Sequence, residues 1–392
     1  MTKPIIKVRN LKTRFFTEMG QVNAVDGISF DINQGEVLSV VGESGSGKSV
    51  TGLSLMDLID SPGQITDGEI WFHHPDLAAE RGAADDAVDG EFVNLRSLHQ
   101  KARRSLCGTE LGMIFQDPGS AFHPALTVGE QIGEAVESRR RIARGEDYDV
   151  KEMLLDLCSL RSSFVSDESY DEAIGLLEQV DIPDPIDRAD EYPHEFSGGM
   201  LQRAMVAQAL ASDPAVLIAD EPTTGLDVTI QAGIIDLLRE LQADTGMSIF
   251  LITHNIGVVS SIADRVAIMY GGKFLELGPT DRVFEKPANP YTEGLLNCLP
   301  DPTDATNIIE PIHGNVPSLL DHEMPAGCSY ADRCPAVTEE CTETNPSLQP
   351  TPETANHLVA CIHAETAEST TTFPVATTTP SVLSDGGASA DE

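Results

Sequence analysis

Gly42, Glu43, Ser44, Gly45, Ser46, Gly47, Lys48 and Ser49 follow the order G-x-x-x-x-G-K-[ST]. Glycines at this spacing let backbone N–H groups close round phosphate oxygens without Cβ clashes. Lys48 would then reach the β and γ phosphates, and the Ser49 hydroxyl would ligate Mg²⁺. A second group, Asp220 and Glu221, ends an apolar run over 215–219. Asp220 is placed to hold Mg²⁺ through water, and Glu221 to polarise an attacking water. Ser197, Gly198, Gly199 and Met200 open a helical stretch, where exposed N–H groups and the positive dipole end make a second anion site. Alone, these are an acidic turn and an ordinary serine cap. In one chain with the phosphate loop, they predict a nucleotide-driven machine.

The flanking patterns supply the scaffold. Residues 37–41 read as a short buried strand and 50–58 as a helix, the strand–turn–helix setting a phosphate loop requires. Strands are predicted at 5–8, 24–31, 68–72 and 111–115, with turns at Met19-Gly20 and 33–35. The stretch 73–89 is Ala/Asp-rich and reads as an exposed insertion. From Leu126 the period becomes helical, so 117–195 is expected to be mostly helical, with charged or serine-rich breaks at 139–149 and 160–170. Strand and helix then alternate over 215–219, 230–245, 248–253 and 256–263, with strands at 266–270 and 273–277. Such alternation implies a parallel sheet covered by helices. Beyond Glu285 prolines become frequent, and 364–392 is Thr/Ser/Pro/Ala-rich and acidic, the composition of a disordered tail.

Of the 392 residues, 63 are Asp or Glu and 25 Lys or Arg, a formal charge of −38 spread along the chain. Phosphate backbones need a basic face, so nucleic-acid binding is excluded. Diffuse acid with few lysines is instead the pattern of solvation in concentrated salt, as in halophiles. No run approaches a membrane span and 1–10 has no signal core, so a cytoplasmic protein is expected. Seven cysteines without a secretion signal argue against a disulfide framework. Cys107, Cys158 and Cys298 are scattered. Cys328, Cys334, Cys341 and Cys361 are spaced C-x5-C-x6-C-x19-C. That is not a zinc-finger spacing, but four thiols in a short stretch suggest a metal site, zinc or iron.

Over about residues 5–281 these motifs, in this order, resemble the nucleotide-binding subunit of an ABC transporter. The resemblance implies an α/β fold, a P-loop NTPase ABC cassette with a RecA-like core, an antiparallel β subdomain and a helical subdomain, followed by a small Cys-containing extension. The implied divisions are 1–116 with 201–285 (core), 117–200 (helical subdomain), 286–363 (extension) and 364–392 (tail). Phe15, or its neighbour Phe16, would stack on adenine. Gly42 to Ser49 would be the Walker A loop, running on into Val50, and Gln116 the Q-loop glutamine and a Mg²⁺ ligand with Ser49 and Asp220. Ser197 to Met200 would be the signature, Asp220-Glu221 the Walker B pair, Asp227 the D-loop acid and His254 the switch histidine. Glu221, His254 and Gln116 would then be catalytic. Two such subunits would sandwich two ATP molecules, each signature completing the other's Walker site.

Met200 in the signature, the run 222–231, 262–266, 289–292 and 314–319 resemble the oligopeptide/dipeptide permease group. Gly225, Asn255 and His123 stand where that group usually has Ala, Asp and Asn; 73–95 and 139–170 resemble insertions. The resemblance implies a [4Fe–4S] cluster on Cys328, Cys334, Cys341 and Cys361. It also implies a second, paralogous ATPase subunit, two integral membrane permease subunits, an extracellular solute-binding protein acting indirectly, and a place on the cytoplasmic face of the membrane, in a halophilic archaeon. Peptide is the expected cargo. Oligosaccharides or nickel are the alternatives within the group, and a soluble non-transport ABC ATPase is a more distant one.

Overall fold

The computed structural model describes residues 3–82, 85–145, 165–298 and 311–364. Cys158, most of the 139–170 stretch and nearly all of the acidic tail lie outside the described residues. Two sheets organise the rest. The first has the order β2-β1-β4-β6-β5, from strands β1 (Pro4–Thr17), β2 (Gly20–Asn33), β4 (Gly63–His73), β5 (Val88–Asp89) and β6 (Phe92–Asn94). All its pairings are antiparallel. Alternation along β1 puts Ile6, Val8 and Leu11 into the core, as period 2 requires.

The second sheet runs β12-β13-β11-β10-β3-β9-β8-β7. Its strands are β3 (Val37–Val41), β7 (Leu111–Ile114), β8 (Val216–Asp220), β9 (Ser248–Thr253), β10 (Arg265–Tyr270), β11 (Lys273–Pro279), β12 (Gln349–Thr351) and β13 (Thr354–Val359). From β10 to β7 every pairing is parallel. These strands are covered on both faces, which is why they read as unbroken apolar runs rather than alternating ones. The one hydroxyl inside β3, Ser39, satisfies itself by donating to Leu251 O at 3.1 Å.

Register decides where these strands stop. Val41 pairs with Thr253, Asp220 with Ile252, and Ile114 with Ala219. Four neighbouring strands therefore end level, at their carboxyl ends, where open α/β sheets gather ligands.

The helical part packs Val128–Ala143, Asp167–Gln179 and Gly198–Leu210 through Ile132, Val136, Ala173, Leu177, Ala204 and Ala207, all fully buried. Thr127 and Glu130 form a reciprocal capping box at the first helix. Truncating Leu177 to Ala would cost about 2–5 kcal/mol, since the site is closed on all sides.

The 73–89 stretch differs from an exposed insertion. It forms the Pro75–Arg81 helix and reaches β5, burying Ala78 and Ala87 in the core. Small alanines bury a face without producing a strong apolar pattern. The C-terminal extension is likewise built into the core. β13 pairs antiparallel with β11, and His357 Nε2 meets the buried Glu276 carboxylate at 2.6 Å. Glu276 also accepts backbone N–H bonds from Ala288 (2.8 Å) and Asn289 (3.1 Å), so its charge is not left bare. The extension also reaches the first sheet: Val22 bridges Leu320, and Asn23 N–H donates to Leu319 O at 2.7 Å.

Candidate functional site

The phosphate loop leaves the end of β3 and enters the Lys48–Leu55 helix. Two of its glycines are sterically obligatory. A Cβ on Gly42 would lie 2.1 Å from Met269 O; one on Gly47, where φ is +105°, would lie 2.1 Å from Ala24 O. Ser44 and Gly45 form the exposed crown, while Ser46, Gly47 and Lys48 are buried. Ser46 N–H turns back to Glu43 O (3.2 Å) and Ser46 O accepts from Gly272 N–H (3.0 Å). The Ser46 hydroxyl is buried with no protein partner, and Val50 lies half-buried in the first turn.

Lys48 Nζ donates to the loop's own carbonyls, Gly42 O (2.8 Å) and Glu43 O (2.9 Å). Burial lowers its pKa, and the carboxylates of Glu221, Asp220 and Glu43 only partly offset that. A buried ammonium held by carbonyls, with an orphaned hydroxyl beside it, fits a polyanion that would satisfy both.

Ser49 Oγ donates to Asp220 Oδ1 at 3.0 Å. Burial, reinforced by the Glu221 charge, pushes the Asp220 carboxyl up to about 6, despite the Ser49 hydrogen bond and Lys48. Hydroxyl and carboxylate oxygens side by side are a donor set for a hard cation such as Mg²⁺, whose charge would reverse that shift.

Glu221 is the focus of the site. Gln116 Nε2 donates to its Oε2 at 3.1 Å, Thr224 Oγ1 donates to the same oxygen at 2.8 Å, and His254 Nδ1 lies 3.3 Å from Oε1. Its backbone has φ +47°, in the left-handed region that a side chain disfavours, and its N–H is fixed to Ile252 O at 2.8 Å. Burial raises its pKa, but the bonds from Thr224 and His254 and the nearby Lys48 outweigh it, so the carboxyl is held below its ordinary value. Asn255 caps the next helix by accepting from Gly257 N–H (3.0 Å) and Val258 N–H (3.4 Å), a bond any Asp would also make.

The strand ends thus bring together Gly42 to Ser49, Gln116, Asp220, Glu221 and His254. Ser197 to Met200 belong to a different face. Ser197 Oγ accepts from Met200 N–H at 3.3 Å, and Gly199 abuts Ile230 with no room for a Cβ. Asp227 Oδ1 accepts from Thr229 and Ile230 N–H, each at 3.0 Å, so these two helix starts support each other. Ser197 and Gly198 open to solvent. Phe15 is half-buried against Gly63, and Phe16 is 48% exposed.

Cys328, Cys334, Cys341 and Cys361 line one small cavity with Tyr330 and His363. Burial raises the pKa of Cys328, Cys334 and Cys361, and each thiol's potential charge raises its neighbours' further. Among the described residues, no three His, Cys, Asp or Glu side chains are arranged to hold a single metal ion. No described helix is long and apolar enough to cross a membrane.

Three further residues complete the site: Thr224, Tyr291 and Arg333. Tyr291 OH accepts from Glu43 N–H at 3.1 Å, and Arg333 forks onto the Glu43 carboxylate at 2.6 and 3.0 Å. Thr224 stands three residues beyond Glu221, in the turn that follows it, and that proximity is its one sequence signal. Tyr291 and Arg333 are distant in sequence and carry none.

Comparison with known proteins bears on this geometry. The ABC transporter family profile matches residues 25–224, and the profile described as the oligopeptide/dipeptide transporter, C-terminal region, matches 275–341. The dipeptide transport ATP-binding protein DppD of Bacillus subtilis is 40% identical over 358 residues, covering 91% of this chain and 94% of that protein. The protein of the same name from Haemophilus influenzae is 40% identical over 344 residues, covering 88% and 92%. Among solved structures, the dimeric bacterial ABC transporter cassette MJ0796 superposes with a TM-score of 0.53 at 22% identity, over 70% of this chain and 98% of that one. That likeness is one of fold. The chain belongs to the ABC transporter family, as an ATP-binding cassette that carries the oligopeptide/dipeptide transporter C-terminal region.

Proposed function

We propose that this chain is the ATP-hydrolysing subunit of an importer for peptides, of the dipeptide/oligopeptide permease type. The observation that carries the catalytic part is the convergence of Gln116, Thr224 and His254 on the Glu221 carboxylate, beside the Ser49–Asp220 pair. The peptide cargo is supported by the names of the relatives and by the matched C-terminal region.

In this reading Lys48 exchanges the Gly42 and Glu43 carbonyls for phosphate oxygens, and Ser44 to Gly47 turn N–H groups and the Ser46 hydroxyl to the same anion. Ser49, Asp220 and Gln116 would hold Mg²⁺, which supplies neutralising charge between the outer phosphates. Glu221 orients a water and takes its proton. Its lowered pKa keeps it ionised and ready to accept. His254 and Gln116 fix that carboxylate and reach toward the γ-phosphate. The Phe15–Phe16 corner offers adenine an aromatic face.

The outward-facing helix starts at Ser197 and Asp227 favour a composite site, in which the Ser197 to Met200 signature serves the ATP of a second ATPase subunit, a paralogue of this chain. Two membrane permeases would receive the resulting motion at the cytoplasmic face of the membrane, with a solute-binding protein delivering cargo outside. Hydrolysis that falls by a factor of about 10² or more in Glu221→Gln, with ATP binding retained, is the expected result. Unchanged turnover would remove Glu221 from catalysis. Co-purification with two permeases, and peptide uptake lost on deleting this chain, would test the transport role.

The gathering of four thiols in one pocket supports a [4Fe–4S] cluster there. Each iron of a cluster takes one thiolate, so its ligands stand apart instead of converging on a point, and ionised thiolates would be relieved of their mutual repulsion. Its role would be to tie down a proline-rich, core-poor extension. Iron content and absorbance near ~400 nm in anaerobically purified protein test this; zinc without iron would sink it.

A further inference from the structure

Arg333 belongs to the C-terminal extension, yet its side chain is spent on the phosphate loop. Only 5% of that side chain is exposed. All five guanidinium N–H groups are used. Nη1 donates to Glu43 Oε2 (2.6 Å) and Tyr270 OH (3.2 Å), Nη2 to Glu43 Oε1 (3.0 Å) and Ile312 O (3.3 Å), and Nε to His313 O (3.0 Å). A lysine could not reproduce this fork. The stem lies on Gly314, whose φ of +87° and missing Cβ leave room for it.

Glu43 is the second residue of the phosphate loop and is gripped at three points. Its carboxylate takes Arg333, its N–H donates to Tyr291 OH, and its carbonyl accepts Lys48. Tyr291 is itself fully buried, packed with Tyr270 and Tyr330 at ring separations of 4.6 and 5.1 Å. Two of the three anchors therefore come from beyond β11. An unpaired carboxylate at this point of the loop would repel an incoming triphosphate, and the field would be strong in so poorly solvated a setting.

We propose that Arg333 and Tyr291 are positioning residues for nucleotide binding. Arg333 neutralises Glu43 and, with Tyr291, holds the loop open in the shape that receives phosphate. The extension is on this account a structural part of the ATP site. The inference rests on the loop's being an ATP cradle, and the test separates the two.

ATP is titrated calorimetrically, without Mg²⁺, into the full-length chain and its Arg333→Met, Arg333→Lys, Tyr291→Phe and Glu43→Gln/Arg333→Met variants, with thermal midpoints measured alongside. Arg333→Met should bind ATP about tenfold or more weakly, with Arg333→Lys intermediate and Tyr291→Phe about threefold weaker. In hydrolysis, KM for ATP should rise while kcat at saturation stays within about twofold. Adding Glu43→Gln to Arg333→Met should recover most of the lost affinity, because it removes the bare charge. A merely structural arginine would give no such recovery. Equal affinity of wild type and Arg333→Met overturns this inference alone, as does loss of affinity that Glu43→Gln fails to restore. Should Arg333→Met not fold, Arg333→Lys and Tyr291→Phe decide the question by the same measure. Wild-type protein that takes up no ATP would defeat the cradle reading itself.

Discussion

Ser49 Oγ and Asp220 Oδ1 lie 3.0 Å apart although 171 residues separate them in the chain. The level ends of β3, β9 and β8 bring them together, and the pair makes a cation's ligand set from two distant motifs. Ser49→Ala and Asp220→Asn should each lower Mg²⁺-dependent ATP hydrolysis by about two orders of magnitude. ATP binding measured in EDTA should change far less. Steady-state hydrolysis and a nucleotide titration of the same preparations check this.

Removal of the imidazole tests what holds Glu221 in place. His254→Ala leaves the carboxylate with Thr224 and Gln116 as donors. Turnover should fall about 10²-fold with little change in KM, since no ATP-binding group is lost. A large rise in KM with kcat preserved would assign His254 to binding instead.

Glu137 gives a pH-dependent prediction away from catalysis. Its side chain is 6% exposed and accepts from Ser166 Oγ and Ser169 Oγ, each at 2.7 Å, and from Arg141 Nε at 3.1 Å. Burial raises its pKa, but these bonds outweigh it and bring the carboxyl down to about 2. A folded-state value below the unfolded one means stability that is complete above the ordinary glutamate range and is lost as pH falls toward about 2. Glu137→Gln should thus be about 2–3 kcal/mol less stable at pH ~7. The gap should narrow between pH ~5 and ~3, where the wild type loses the same charge. Denaturant midpoints across that range measure it.

Salt provides a fourth test. With a formal charge of −38, self-repulsion opposes the folded state until ions screen it. The unfolding temperature should climb steadily as KCl is raised from ~0.1 to ~2 M, beyond the point where a balanced surface stops responding. A midpoint that is flat or falls over this range would remove the case for adaptation to concentrated salt.

Local chemistry makes much of the site readable. Gly42 to Ser49 and Asp220-Glu221 are contiguous, so type and spacing alone dictate what their backbone can do. Strands β3, β8 and β9 are equally plain, because burial on both faces demands unbroken apolar runs. What stays hidden depends on distance or on weak patterning. Arg333 meets Glu43 across 290 residues, and nothing near either residue marks the other. β12 is three residues long with Pro350 inside it, and β13 borrows its pairing from β11. The Gln100–Glu110 helix has only Leu106 fully buried, too little for a periodic signal. Alanines do the packing at 73–89, and alanine reads as neither core nor surface.

The extension touches both sheets, at β11 through β13 and at β2 through Leu319 and Leu320. It therefore works as a brace across a joint. The antiparallel layer and the nucleotide core are laced into one stiff plate, while the helical part hangs from the segments after Ile114 and before Gly198 with no such lacing. Force generated at the phosphates has one compliant direction left. It must swing the helices, and any subunit seated against them will feel the stroke there first.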